Sequence, residues 1–117
     1  MVTLETDKGL IRIAGDVFTY LAGNAATTCF GVKGMTVRSM TDGLVHLLKR
    51  ESMGKGVHIT YNDNGSISIE LHIAVDPGVN IPVVCKSIIE EVRYKVSTAT
   101  GVEIKSVDVF VDSMIIG

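Results

Sequence analysis

From Val57 to the C-terminus the chain reads as a hairpin, a long amphipathic helix and a closing strand, with almost nothing left over. Val57, Ile59 and Tyr61 alternate with His58, Thr60 and Asn62, and Ile67, Ile69, Leu71, Ile73 and Val75 alternate with Ser66, Ser68, Glu70 and His72. Period-two alternation predicts two strands, each with one apolar face. Both apolar sets share a face only if Tyr61 sits opposite Ile67 and Ile59 opposite Ile69, which leaves Asp63-Asn64-Gly65 as a three-residue loop with Gly65 in the left-handed position. A two-residue Asn64-Gly65 turn would slip the register by one and put apolar side chains in water.

After the turn at Asp76-Pro77-Gly78, Asn80 is placed to cap a helix whose first turn tolerates Pro82. Cys85, Ile88 or Ile89, Val92, Val96 and Ala99 step along one stripe, so the helix runs to about Thr100 and Gly101 stops it. Val107, Val109 and Val111 then alternate with Ser106, Asp108 and Asp112. This half is strand, strand, helix, strand, and a crossover connection returns the last strand beside the hairpin.

The first half is patterned less strongly. Val2 to Thr6 and Leu10 to Ile13 read as short extended pieces around Asp7-Lys8-Gly9. A helix is expected from Asp16 as N-cap to Cys29, with Val17, Leu21, Ala25 and Thr28 or Cys29 on its buried face; Ala22, Gly23, Ala25 and Ala26 keep it thin. Gly31 ends this helix in a left-handed conformation and Gly34 turns the chain again. Thr36 to Met40 is extended, Asp42 to Glu51 forms a short helix through Leu44, Val45, Leu47 and Leu48, and Ser52 to Gly56 is a loop. The resulting fold class is α+β: a single-layer mixed or antiparallel sheet with two main helices packed on one face.

A chain of 117 residues, 46% hydrophobic, 21% charged and with only two prolines, is a globular single domain spanning residues 1–117. The net charge of −2 disfavours a protein whose main work is neutralising phosphates, so nucleic acid is not an expected partner. There is no leader-like N-terminus and no apolar run near the ~20 residues that span a bilayer, so a cytoplasmic chain without direct membrane insertion is expected.

Candidate chemistry is sparse. His58 is expected to face Glu70 across the hairpin, with His72 near Gly56 on the same polar face, and a carboxylate beside a ring favours its protonated form. That makes an acid–base pair or pH-sensitive element conceivable, but a solvated cross-strand pair explains the residues more simply. Acid–base work also needs a pocket and a substrate group. A metal site from His46, His58 and His72 lacks any HxxxH or HxH spacing and puts His46 on a separate element. Cys29 and Cys85 lie on apolar stripes and read as buried structural cysteines, and no serine sits in a GxSxG elbow.

Gly31-Val32-Lys33-Gly34 matches the GxxG loop with which KH domains clamp a nucleic-acid backbone. Lys33, Arg38, Lys49, Arg50 and Lys55 outnumber Asp42 and Glu51 nearby, yet the helix-ending role of these glycines accounts for them without RNA. Phe110 falls with Asp108 and Asp112, away from the valines. An aromatic on a polar face is either a partner contact or is covered by the N-terminal hairpin.

The order of these pieces resembles a known family. The Ala-rich helix, Gly31-Val32, Gly34-Met35, Asp42-Gly43-Leu44, Lys55-Gly56-Val57, the hairpin, Ile81-Pro82, Thr100-Gly101 and Val107-Asp108-Val109-Phe110-Val111 together are similar to the alkaline shock proteins, also described as Gls-type envelope stress response proteins. The resemblance covers nearly the whole chain. It implies a small bacterial cytoplasmic protein of Gram-positive lineages, linked to general or envelope stress, some members of which self-associate and are held at the membrane by a separate membrane-spanning protein. It implies no catalytic residues and no cofactor. The extended charged tails of some members are missing, which points to a compact, housekeeping-like branch.

The expected function is that of a non-enzymatic interaction protein, a homo-oligomer with a membrane-anchored protein as a further partner. The candidate interaction surface comprises Phe110, His58, Glu70, His72, Lys33 and Lys55, with no catalytic, cofactor-binding or metal-ligating residue assigned. The alternatives are a small-molecule or lipid-binding accessory protein to an enzyme, and a KH-like RNA-binding module.

Overall fold

The computed structural model describes residues 1–116. Strands β1 (Val2–Thr6) and β2 (Gly9–Ile13) pair with each other as a separate antiparallel ribbon. The Thr6 hydroxyl donates to the Gly9 carbonyl at 2.9 Å and closes the turn between them. Helix α1 (Gly15–Thr27) follows, then β3 (Val32–Arg38), β4 (Val45–Leu47), a 3-10 helix (Arg50–Gly56), β5 (Val57–Tyr61), β6 (Ile67–Val75), helix α2 (Ile81–Thr100) and β7 (Ile104–Met114).

β6 organises the main sheet. One edge pairs in parallel with β7 along its full length, Ile67 opposite Ile104 and Val75 opposite Met114. A strand has two edges, so β5 and β3 share the other end to end: β5 pairs with Ile67 to Leu71, and β3 pairs antiparallel with Ile73 to Val75. β4 lies outside β3. Five apolar side chains of β6, Ile67, Ile69, Leu71, Ile73 and Val75, are buried. Both helices cover this apolar face: α1 packs on β3, β5, β6 and α2, and α2 packs on β7.

The hairpin register is the expected one. Tyr61 pairs with Ile67 and Ile59 with Ile69, Asn62 N–H donates to the Ser66 carbonyl at 2.9 Å, and Gly65 has φ of 87°. α2 also starts as expected, the Asn80 side chain accepting from Val83 N–H at 3.1 Å. Its buried stripe is Val84, Ile88, Val92, Val96 and Thr100, so the ends shift by one residue from Cys85 and Ala99. A 3.6-residue period drifts against a four-residue step, and the unbroken step from 84 to 100 is the row that meets the sheet.

The first half departs further from expectation. Helix α1 begins at Gly15 after Ala14, without a side-chain cap; Asp16 stands in the first turn, where its charge complements the helix dipole. It ends at Thr27 rather than Cys29, as the Thr27 and Thr28 hydroxyls donate back to the carbonyls of Gly23, Asn24 and Ala25. Its buried residues are Phe18, Ala22, Gly23, Ala25 and Ala26, while Val17 is exposed. The small residues let α1 approach closely, with Gly23 against Met53, and Phe18 is the one large side chain of the helix that is fully buried.

Gly34 does not turn the chain. It lies inside β3 where the ladder to β6 shifts register, and a Cβ there would come within 2.9 Å of Leu47. The helix expected over Asp42 to Glu51 is absent: β3 and β4 form a hairpin closed by Ser39 N–H to the Leu44 carbonyl at 2.8 Å. Asp42 Oδ1 accepts from Leu44 N–H at 2.9 Å, and Gly43 takes φ of 71°. This turn chemistry outweighs an apolar cluster whose Leu44 and Leu47 stay exposed and would gain little from helix formation. The expected Ser52 to Gly56 loop belongs to the 3-10 helix, which buries Met53.

Candidate functional site: the polar face of the sheet

With both helices on the apolar side, residues at alternate positions of β5, β6 and β7 line the opposite face. Pairing sets His58, Glu70 and Asp108 in one row, and His72 opposite Phe110 in the next. The ladder between β6 and β7 then skips a residue, matching Ile73 to Val111 but Ala74 to Ser113. The residue left over is Asp112. A bulge of this kind re-aims a side chain, and here the Asp112 carboxylate lies against His72.

Four side chains surround His72. Its Nδ1 lies 2.9 Å from Asp112 Oδ2 and its Nε2 lies 2.8 Å from Glu70 Oε2. Phe110 stacks on the ring with centroids 4.9 Å apart and planes 11° from parallel. His58 meets the same ring edge-on at 5.5 Å. Behind Asp112, the Thr36 hydroxyl donates to Oδ2 at 3.2 Å, tying the group to β3. Partial burial alone would lower the affinity of the His72 ring for a proton, but its hydrogen bonds to Glu70 and Asp112, with their charges, outweigh it and raise the pKa above the ordinary histidine value.

The expected His58–Glu70 register holds, but the hydrogen bond from Glu70 goes to His72. His72 lies beside Gly56, as its spacing implied. His46 stands apart on β4, 3.8 Å from Asp42. Phe110 is 45% exposed, and its stacked neighbour is His72. Sequence reasoning placed Asp112 on this face but missed its partner, because nothing in the alternation of β7 announces a skipped residue.

Lys33 and Lys55 belong to a different region. Lys33 lines a hollow of about 300 Å³ with Asn24, Thr28 and Leu48, and Lys55 lines one of about 500 Å³ with Asp16, Tyr20 and Glu51. The two hollows meet at Arg50 and Met53 along α1. The GxxG segment is not a clamp loop: Gly31 closes the turn after α1, and Val32 to Gly34 run inside β3. Cys29 and Cys85 are half-buried rather than buried, and partial burial pushes both thiols up in pKa, away from nucleophilic reactivity.

Residues 3–116 match the model of the alkaline shock protein 23 family, which is described as having a cell envelope-related function. The chain belongs to the alkaline shock protein 23 family. It is 31% identical to the uncharacterized protein YloU of Bacillus subtilis, over 97% of this chain and 94% of that one. It is 34% identical to the uncharacterized protein Spy1614 of Streptococcus pyogenes, over 97% of this chain and 93% of that one. YqhY of B. subtilis, also uncharacterized, is 32% identical over 92% of this chain and 78% of its own length. No solved structure matches the chain.

The alkaline shock protein 23 family is not a known enzyme family. No helix among the described residues is long and apolar enough to cross a membrane.

Proposed function

We propose that this member of the alkaline shock protein 23 family is a non-enzymatic interaction protein of the cytoplasmic side of the envelope, self-associating through the outer edge of β7. The observation that carries this reading is the edge itself. β7 is 11 residues long, pairs with β6 on one side, and among the described residues has no strand on the other. Between its two ladder irregularities, Ser106 to Val111 form a regular run opposite Ser68 to Ile73. Unpaired N–H and C=O groups along such a run are a template for a second strand.

Two copies meeting edge to edge about a two-fold axis continue the sheet antiparallel. Attachment to the envelope then comes through a membrane-anchored partner on the polar face, where Phe110 is half-exposed. Phe110→Glu tests both readings, since it aligns carboxylates at 108, 110 and 112 on one face of the edge, against the same three of the second copy. Like charges at directly opposed sheet positions repel.

Light scattering of the wild type should show a concentration-dependent dimer, and the outward amides of Ser106 to Val111 should gain protection from hydrogen exchange as it forms. Phe110→Glu should be monomeric and should leave the membrane fraction of the cell. A wild-type monomer up to near-millimolar concentration, with those amides exchanging freely, would sink the self-association reading. For the small-molecule alternative, the structure offers two open hollows beside α1, lined in part by Asp16, Lys33, Arg50, Glu51 and Lys55.

A further inference from the structure

His72 carries an arrangement that plain surface histidines lack. Asp112 holds its Nδ1 edge, and Thr36 holds Asp112 in turn. A ring whose Nδ1–H is given to a carboxylate presents the Nε2 lone pair outward, which is how proteins orient metal-binding histidines. In that tautomer the Nε2 lone pair faces Glu70 Oε2 at 2.8 Å. Two acceptors so close repel unless a positive centre, a proton or a metal ion, sits between them.

A third donor is at hand. One ligand atom each from His58, Glu70 and His72 all lie within 4.8 Å of one another. Donors at about 2.0–2.1 Å around a tetrahedral zinc ion stand about 3.4 Å apart, so the widest separation in the set closes by at most about 1.4 Å. His58 is exposed and lies on the open side, whereas Glu70 and His72, 2.8 Å apart, part by about 0.6 Å to admit the ion. The donor set of two imidazoles and one carboxylate suits zinc better than magnesium or calcium, which take oxygen ligands.

We propose that His58, Glu70 and His72 bind one zinc-class divalent cation on the open face of the sheet, with Asp112 as the positioning residue behind His72. Water fills the fourth position on the solvent side. The site uses the Asp112 side chain of β7 but not the outer backbone edge of that strand, so it stands or falls apart from self-association.

Calorimetric titration of Zn²⁺ into the purified full chain, with Co²⁺ absorption as a readout of geometry, decides the matter. One equivalent should bind, and Co²⁺ should give the intense visible bands of a four-coordinate N/O site. His58→Gln and His72→Gln should each weaken binding at least ~10-fold, and Asp112→Asn by about 10–100-fold. His46→Gln should have no effect. His58→Gln alters an exposed side chain, so its thermal unfolding should match the wild type and loss of binding cannot be ascribed to misfolding. Zn²⁺ affinity unchanged in the His58→Gln/His72→Gln double variant, or binding lost with His46→Gln instead, would overturn the proposal, as would the absence of a saturable heat in the wild type.

Discussion

Asp112 reaches His72 because the β6–β7 ladder drops one residue, and Asp42 reaches Leu44 because the β3–β4 turn folds back on itself; in both cases a single carboxylate defines its surroundings. Asp42 can be tested alone, since it lies away from the polar face. The Leu44 backbone N–H, with help from Ser39, holds its carboxyl below the usual carboxylate pKa. The sign follows from linkage: a folded-state pKa below the unfolded one gives stabilisation that is complete above the unfolded value and lost as pH falls through the folded value. Nuclear magnetic resonance should therefore show the Asp42 carboxyl carbon and the Leu44 amide titrating together, with a midpoint below that of an unstructured aspartate. A midpoint at or above that value would mean that the turn does not form in solution.

At the scale of elements, the end of the 3-10 helix is where close approach is least forgiving. A Cβ on Gly56 would come within 2.9 Å of the Thr36 carbonyl oxygen, 3.1 Å of Met35 Cβ and 3.3 Å of the His72 carbonyl oxygen. Two of these are backbone atoms of adjoining strands and cannot swing away. Gly56→Ala should cost about 1–3 kcal/mol in urea denaturation, while Gly9→Ala, with nothing within 4 Å, should stay close to wild type. Equal stability of Gly56→Ala and wild type would mean that the helix end docks less tightly on β3.

The β5–β6 register, the Asn80 cap and β7 were legible because alternation and capping are local and all pointed to one arrangement. The Asp42 to Glu51 segment was not, since four apolar residues in five suggest a helix until Ser39, Asp42 and Gly43 are seen to close a hairpin. The phase of α1 is faint in the sequence because, apart from Phe18, its buried face is made of alanines and a glycine, which carry little hydropathy signal. Strand pairing brings His58, Glu70, His72 and Phe110 onto one face, whereas Lys33 and Lys55 line the hollows along α1.

Across the whole molecule, stability is expected to be uneven. β6 is paired along both edges and covered by two helices, while the β1–β2 ribbon pairs only with itself. Val2 is the buried anchor of the ribbon, with Leu4 and Ile13 partly covered, and Leu10 and Ile11 are 58% and 49% exposed. The chain is elongated, 53 × 32 × 23 Å. A two-stranded ribbon has marginal stability in water by itself, so it should open without the rest unfolding.

Native-state hydrogen exchange of the dilute monomer should show β6 amides exchanging only through global unfolding. Ribbon amides should exchange at least ~100-fold faster. Raising the concentration should protect β7 and leave the ribbon as it was. Protection of the ribbon instead, with β7 unchanged, would mean that Leu10 and Ile11 are what a second copy covers, and the self-association surface would move from the sheet edge to the N-terminal hairpin.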